Sequence, residues 1–173
     1  MAKISVGLDI GFSSFKLVAL SSENQTHKLV SLGSILSPQP GMLSDADADL
    51  EAVAQAIKSL LSATHMEGKE VIAALPESKV FTRVIDDLPY LTDSELSSAI
   101  RYAAEEFIPM PLTDVNLNWQ VLARSDGKNK DTKTVVFVVA SPKNAVAKYI
   151  KVLSLAGVKP KSLETEIIAV TRS

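Results

Sequence analysis

Near the start of the chain, two stretches that alternate with a period of two are separated by only enough residues for a turn. Ile4, Val6, Leu8 and Ile10 are interleaved with Ser5, Gly7 and Asp9. After Gly11-Phe12-Ser13-Ser14 the alternation resumes, with Phe15, Leu17 and Ala19 set against Lys16, Val18 and Leu20. Strands this close pair as a hairpin, and this one carries an acid at its mouth. Gly11 can take positive φ and lets backbone approach a ligand. The N–H groups of such a turn, with the Ser13 and Ser14 hydroxyls, suit an anionic phosphate. Lys16 adds a point charge, and Asp9 can hold a magnesium ion through water. The same residues also suit an ordinary tight turn whose aspartate bonds its own backbone. Taken alone, they leave both readings open.

The hairpin is the first part of a longer pattern. A third strand is expected over 28–36, closed by the loop Pro38-Gln39-Pro40-Gly41. Leu50, Val53, Ala54, Ile57, Leu60 and Leu61 then fall on one helical face, with Asp47 or Asp49 as its cap. The apolar run 71–75, stopped by Pro76, reads as a buried strand. The order to this point is strand, strand, strand, helix, strand.

Beyond Pro76 the pattern restarts. Residues 79–88 alternate as a strand, with Val80, Thr82, Val84 and Asp86 against Phe81, Arg83 and Ile85. Thr92-Asp93-Ser94-Glu95 is a capping box opening a helix with Leu96, Ile100, Ala103 and Phe107 on one stripe, and Pro109 and Pro111 end it. A strand over 115–123 contains Trp119, and a charged loop over 124–133 leads to a β-branched run over 134–140. Ser141-Pro142 supplies an N-cap and first helical residue, Val146, Tyr149, Ile150 and Leu153 a buried face, and Gly157 a stop. This block is an α+β unit. A last strand follows over 161–165, and the helical pattern from Ile167 reaches Ser173 without turn, cap or polar tail, as in a fragment cut inside an element.

Composition narrows the function classes. With 46% hydrophobic and 22% charged residues among 173, the chain can bury a real core. A net charge of −2 with no lysine/arginine stripe argues against nucleic acid, since phosphate binding rests on such charge. Lys128, Lys130 and Lys133, interrupted by Asn129 and Asp131, read as a solvated loop. Zero cysteines exclude thiolate metal sites and fit a reducing compartment, and His27 and His65 stand apart. No segment has the apolar length to span a bilayer, and no signal peptide precedes the first strand. The expectation is a cytoplasmic protein that meets a membrane only through a partner.

Specific motifs add a resemblance. Gly7-Leu8-Asp9-Ile10-Gly11, then Ser13-Ser14 and Lys16-Leu17-Val18, is similar to the first phosphate motif of the actin-like nucleotide-binding superfamily. Phe81-Thr82-Arg83-Val84-Ile85 and Leu91-Thr92-Asp93-Ser94-Glu95-Leu96 narrow it to the PilM family of type IV pilus assembly proteins. The most specific stretch runs from Ala104-Glu105-Glu106-Phe107 through Ile108-Pro109-Met110-Pro111 to Leu112-Thr113-Asp114-Val115, and Leu153-Ser154-Leu155-Ala156-Gly157-Val158-Lys159-Pro160 also matches. The resemblance covers essentially the whole chain but only the N-terminal half of such a protein.

That resemblance implies an α/β fold: an actin-like, ribonuclease H-like subdomain 1A over 1–76 and 158–173, and a strand-helix-strand-strand-helix subdomain 1C over 77–157, as in the division protein FtsA. It implies ATP and magnesium as cofactors, bound by Asp9, Gly11, Phe12, Ser13, Ser14 and Lys16, with the metal held by Asp9 through water. Glu166 falls where an acid orients water or magnesium, although the usual proline after it is Ile167 here. An acid at that position is also what a helix N-terminus favours. Phe12 stands where the family has a small residue and is expected to crowd the turn. The second phosphate motif and the adenosine-contacting glycines lie in the other half, so residues 1–173 are expected to bind ATP weakly and not to be catalytic. The implied activity of the whole protein is at most a slow ATPase.

The implied partner is the N-terminal peptide of a PilN-like inner-membrane protein, docked between 1A and 1C with Leu88, Pro89 and Tyr90 as candidate contacts. A homo-oligomer through 1C is also implied. An FtsA-like membrane anchor shares this topology. A sugar-kinase-type enzyme of the same superfamily would need a catalytic acid near its insert, and no paired carboxylates stand out there.

Overall fold

The hairpin forms with Ile10 opposite Phe15 and Asp9 opposite Lys16, joining β1 (Lys3–Ile10) to β2 (Ser14–Glu23). The computed structural model describes residues 3–24, 26–125 and 133–171, so most of the charged loop expected over 124–133 lies outside the described residues. The chain divides into two compact units, Met1–Glu77 with Val146–Ser173, and Ser78–Ala145.

In the first unit β3 (Thr26–Leu36) continues the antiparallel meander, and β4 (Val71–Leu75) and β8 (Pro160–Thr165) add to β1 in parallel. The resulting five-stranded sheet has the order β3-β2-β1-β4-β8. Its pleat sorts the side chains: Val6, Leu8, Ile10, Phe15, Leu17, Ala19, Val71, Ala73 and Leu75 are all buried. Each fully buried Val, Leu, Ile or Phe contributes about 1.5–3 kcal/mol. α1 (Asp47–Ala63) turns Leu50, Val53, Ala54, Ile57, Leu60 and Leu61 inward. At Gly33 the helix end comes so close that an added Cβ would lie 2.6 Å from Thr64 Cγ2 and 2.9 Å from Leu60 Cδ1.

α1 does not start as expected. Ala46 occupies the N-cap without a side-chain bond, and its own N–H donates to Ser44 Oγ at 3.1 Å. Asp47 and Asp49 lie in the first turn, where the helix dipole favours acids. Asp47 is bound by Lys151 Nζ at 2.6 Å, and that ammonium holds its carboxyl below the usual range. The helix ends in a Schellman motif: Met66 N–H donates to Leu61 O and His65 N–H to Ser62 O, with His65 at φ +56°.

α3 (Lys143–Leu155) differs from expectation in three respects. Ser141 and Pro142 remain in β7 (Thr134–Pro142), opposite Asn116 and Val115, so the helix begins only at Lys143. Its buried face is Tyr149, Val152 and Leu153, while Ile150 is 45% exposed. Most of the helix also belongs to the first unit rather than closing the insert. Lys148 explains this, since its Nζ donates to Met42 O and Asp45 Oδ1, both at 2.8 Å, beside the Lys151–Asp47 pair. Gly157 at φ +72° stops the helix, with Val158 N–H on Leu153 O.

The second unit is a three-stranded antiparallel sheet, β5 (Phe81–Leu88), β7 and β6 (Val115–Ala123), in the order β5-β7-β6. α2 (Asp93–Glu105) packs Leu96 and Ile100 with Ile85, Val136 and Val138. The capping box is present: Glu95 N–H donates to Thr92 Oγ1 and Thr92 N–H to Glu95 Oε2. Phe107 lies just past the helix, half-buried, with the Arg83 guanidinium 5.4 Å from its ring centroid. Leu88 packs against this core, and Tyr90 is exposed.

The Gly33 contact yields a test. Gly33→Ala forces Thr64 and Leu60 apart and should cost about 1–3 kcal/mol, the usual range for overpacking. Combining it with Thr64→Ser removes the methyl that clashes while keeping the hydroxyl on Leu60 O. Urea denaturation should therefore show the double variant recovering part of the loss, as expected for residues in contact.

Candidate functional site

Because β1, β4 and β8 run parallel, their C-terminal ends lie along one edge of the sheet. Asp9 pairs with Ala74, Ala74 with Glu164, and Leu75 with Thr165. The chain turns there from β8 directly into α4 (Glu166–Thr171). The Thr165 hydroxyl accepts the Ile168 N–H at 3.4 Å, which sets Glu166 in the first turn. Asp9 and Glu166, far apart in sequence, are thus delivered to the same edge. In parallel sheets, that is the edge at which ligands bind.

Asp9 lies on the pleat face opposite the core, and its Oδ2 receives Lys16 Nζ at 3.2 Å. Both groups are partly exposed, so the pair itself contributes little to stability. It does hold the ammonium at the mouth of the turn. Glu166 Oε2 accepts the Glu77 N–H at 3.1 Å, fixing that carboxylate just beyond β4.

The turn is anchored from outside. The Phe12 carbonyl accepts Gln39 Nε2 at 3.2 Å, and the Ser13 carbonyl accepts the Ser37 N–H at 3.1 Å. Among the described residues, the N–H groups of Gly11, Phe12 and Ser13 donate to no acceptor. A turn with its carbonyls tied back and its N–H groups uncommitted suits an anion. Gly11 is needed for space rather than for positive φ, because a Cβ there would lie 2.8 Å from the Ser14 carbonyl. Phe12, expected to crowd the turn, is instead 64% exposed.

Tyr149, on α3, feels the charge of these acids, which its place in the sequence does not announce. Its place in an apolar helical stripe read as core, and it is indeed buried. Burial, and then the carboxylates of Glu166 and Asp9, push its hydroxyl up to about 12. The phenol therefore lies within electrostatic reach of both acids and stays protonated beside them. The ends of β1, β2 and β8 thus bring Asp9, Lys16 and Glu166 to one edge. Among the described residues no group of three or more His, Cys, Asp or Glu forms a ready metal cage. Asp9 is suited to holding hydrated magnesium rather than stripping it, since magnesium keeps most of its waters.

The raised Tyr149 value has a pH consequence. The protonated phenol favours the folded state, so this contribution is complete below the ordinary value of 10 and is lost as pH rises from 10 towards 12. Comparing urea midpoints across that window, Tyr149→Phe should show a smaller loss of stability than the parent chain. In the phenolate absorbance titration, Asp9→Asn and Glu166→Gln should each lower the Tyr149 value.

The family model for the type IV pilus assembly protein PilM matches residues 7–173. Among solved structures, the chain is similar to a chain of the PilM–PilN type IV pilus biogenesis complex, with 33% identity and a TM-score of 0.79. That match covers 95% of this chain and 48% of the other, so this chain spans about half the length of its relative. The cytoplasmic domain of EpsL, an inner-membrane component of the Vibrio cholerae type II secretion system, matches at 15% identity and a TM-score of 0.64, covering 96% of this chain and 59% of that one. At that identity the likeness concerns the fold alone, the same mixed α/β actin-like architecture. The chain belongs to the type IV pilus assembly protein PilM family.

Proposed function

We propose that this chain supplies one wall of the nucleotide site of a type IV pilus assembly scaffold. The scaffold binds ATP on the cytoplasmic side of the inner membrane and captures the N-terminal peptide of a PilN-like membrane protein. The observation that carries this reading is the 33% identity over 95% of the chain to a chain of the PilM–PilN complex, together with the PilM family match. The meeting of Asp9, Lys16 and Glu166 at one sheet edge supports the nucleotide part. No helix among the described residues is long and apolar enough to cross a membrane, consistent with membrane contact through the partner.

The residues fit the roles in chemical terms. The N–H groups of Gly11, Phe12 and Ser13, with the Ser13 and Ser14 hydroxyls, bind phosphate oxygens. Lys16 already stands at the turn mouth and shares its charge between Asp9 and the incoming phosphate. Asp9 would hold a magnesium ion through water, and the ion would offset phosphate charge. Glu166, held by the Glu77 N–H, orients a water. Tyr149, held protonated by burial and by the charge of Glu166 and Asp9, adds no further negative charge. A single wall closes around little of a nucleotide, and affinity comes from enclosure.

Titration calorimetry should therefore show no micromolar magnesium-ATP affinity for residues 1–173. A chain of full family length should bind, and lose at least tenfold in affinity with Lys16→Ala. The same full-length chain with ATP should retain a synthetic PilN-type N-terminal peptide in a pull-down. Micromolar binding by residues 1–173 would contradict the one-wall reading, and failure to retain the peptide would contradict the scaffold reading. Phosphorylation of a sugar by the full-length chain would favour the kinase alternative instead.

A further inference from the structure

β3 is an edge strand, with β2 on one side and no strand on the other among the described residues. Unpaired N–H and C=O groups alternate along such an edge, and natural proteins shield them with charge, proline, a bulge or shortness. β3 has two such devices, the charge of Lys28 and a bulge. Ala19 lies opposite Ser31 and Leu20 opposite Leu29, which leaves Val30 as the extra residue of a bulge. Beyond the bulge the shielding ends. Ser31-Leu32-Gly33-Ser34-Ile35-Leu36 contains neither charge nor proline; Lys28 precedes the bulge and Pro38 follows the strand.

The side chains on this stretch are as open as the edge. Leu32 is 65% exposed and Leu36 81%. Val18, opposite Leu32 on β2, is 44% exposed on the same face, so an apolar stripe runs outward across β2 and stops at the edge. α1 packs against the opposite face at Gly33 and leaves this side clear.

We propose that β3 is a docking edge for a second copy of this chain, the two β3 strands pairing antiparallel across a two-fold axis. Charge and register both favour that occupant. A two-fold contact sets a surface against itself, so any charge in the stretch would lie close to its like, and 31–36 carries none. Residues facing each other across paired strands lie on the same side of the sheet. An axis at Ser34 then sets Leu32 of each copy beside Leu36 of the other, so the apolar row runs from Val18 through Leu32 to the other copy's Leu36 and ends at its Ser14. Main-chain hydrogen bonds supply the attraction, as in other strand-addition contacts.

Sedimentation velocity over micromolar to submillimolar concentrations should show the mass rising from 18.5 kDa towards twice that value. Changing both Leu32 and Leu36 to Lys, or both to Glu, should abolish the rise, and mixing the two variants should restore a dimer. Both leucines are exposed, so the variants should fold, as circular dichroism would check. The chain has no cysteine, so Ser34→Cys gives a single thiol on the axis, and mild oxidation should link two copies through it. A thiol at exposed Ser59 on α1 should not link. A mass that stays monomeric throughout, a dimer that survives in both charged variants, or equal linking through Ser34 and Ser59 would each overturn the proposal.

Discussion

Burial of Val6, Leu8 and Ile10 on one side of β1 leaves Asp9 no choice of side, because a strand alternates strictly. Phe15, Leu17 and Ala19 impose the same parity on β2, and the hairpin register then sets Lys16 directly across from Asp9. The core therefore places the acid and the ammonium, and a slip of one residue would send both into it. Parallel addition of β4 and β8 extends the consequence. It carries the end of β8, and with it Glu166, to the edge already marked by Asp9. The site follows from packing decisions made elsewhere in the sheet.

Much of this was legible where a single periodicity governed. The β1–β2 alternation, the α1 stripe and the Thr92–Glu95 capping box each have one physical cause, and each formed. The readings that failed were decided by neighbours. Asp47 looks like a cap, yet Lys151 engages it from a helix distant in sequence. Ser141-Pro142 has the chemistry of a helix start, yet pairing with Asn116 and Val115 keeps both residues in the sheet. Ile150 fits the helical stripe, but on α3 Val152 takes the buried position, and Lys148 and Lys151 reach Asp45 and Asp47.

The candidate site divides along the same line. Asp9, Gly11, the serines and Lys16 are contiguous, so their motif was readable. Glu166 could be assigned only by resemblance, because its proximity to Asp9 depends on strand order. Tyr149 has the sequence signature of a core residue; what marks it, the charge of Glu166 and Asp9, belongs to residues far away in sequence. Phe12 shows the converse. Its type suggested crowding, and only the orientation of the anchored turn shows the ring directed to solvent.

The edge shared by Asp9 and Glu166 is tested most directly by amide NMR of the ¹⁵N-labelled chain titrated with magnesium pyrophosphate, a method that detects millimolar contacts. Shifts should concentrate at Gly11, Phe12, Ser13 and Ser14, with smaller ones near Glu77 and Glu166, and Lys16→Ala should abolish them. Shifts confined to the second unit, or none up to saturating ligand, would contradict the account.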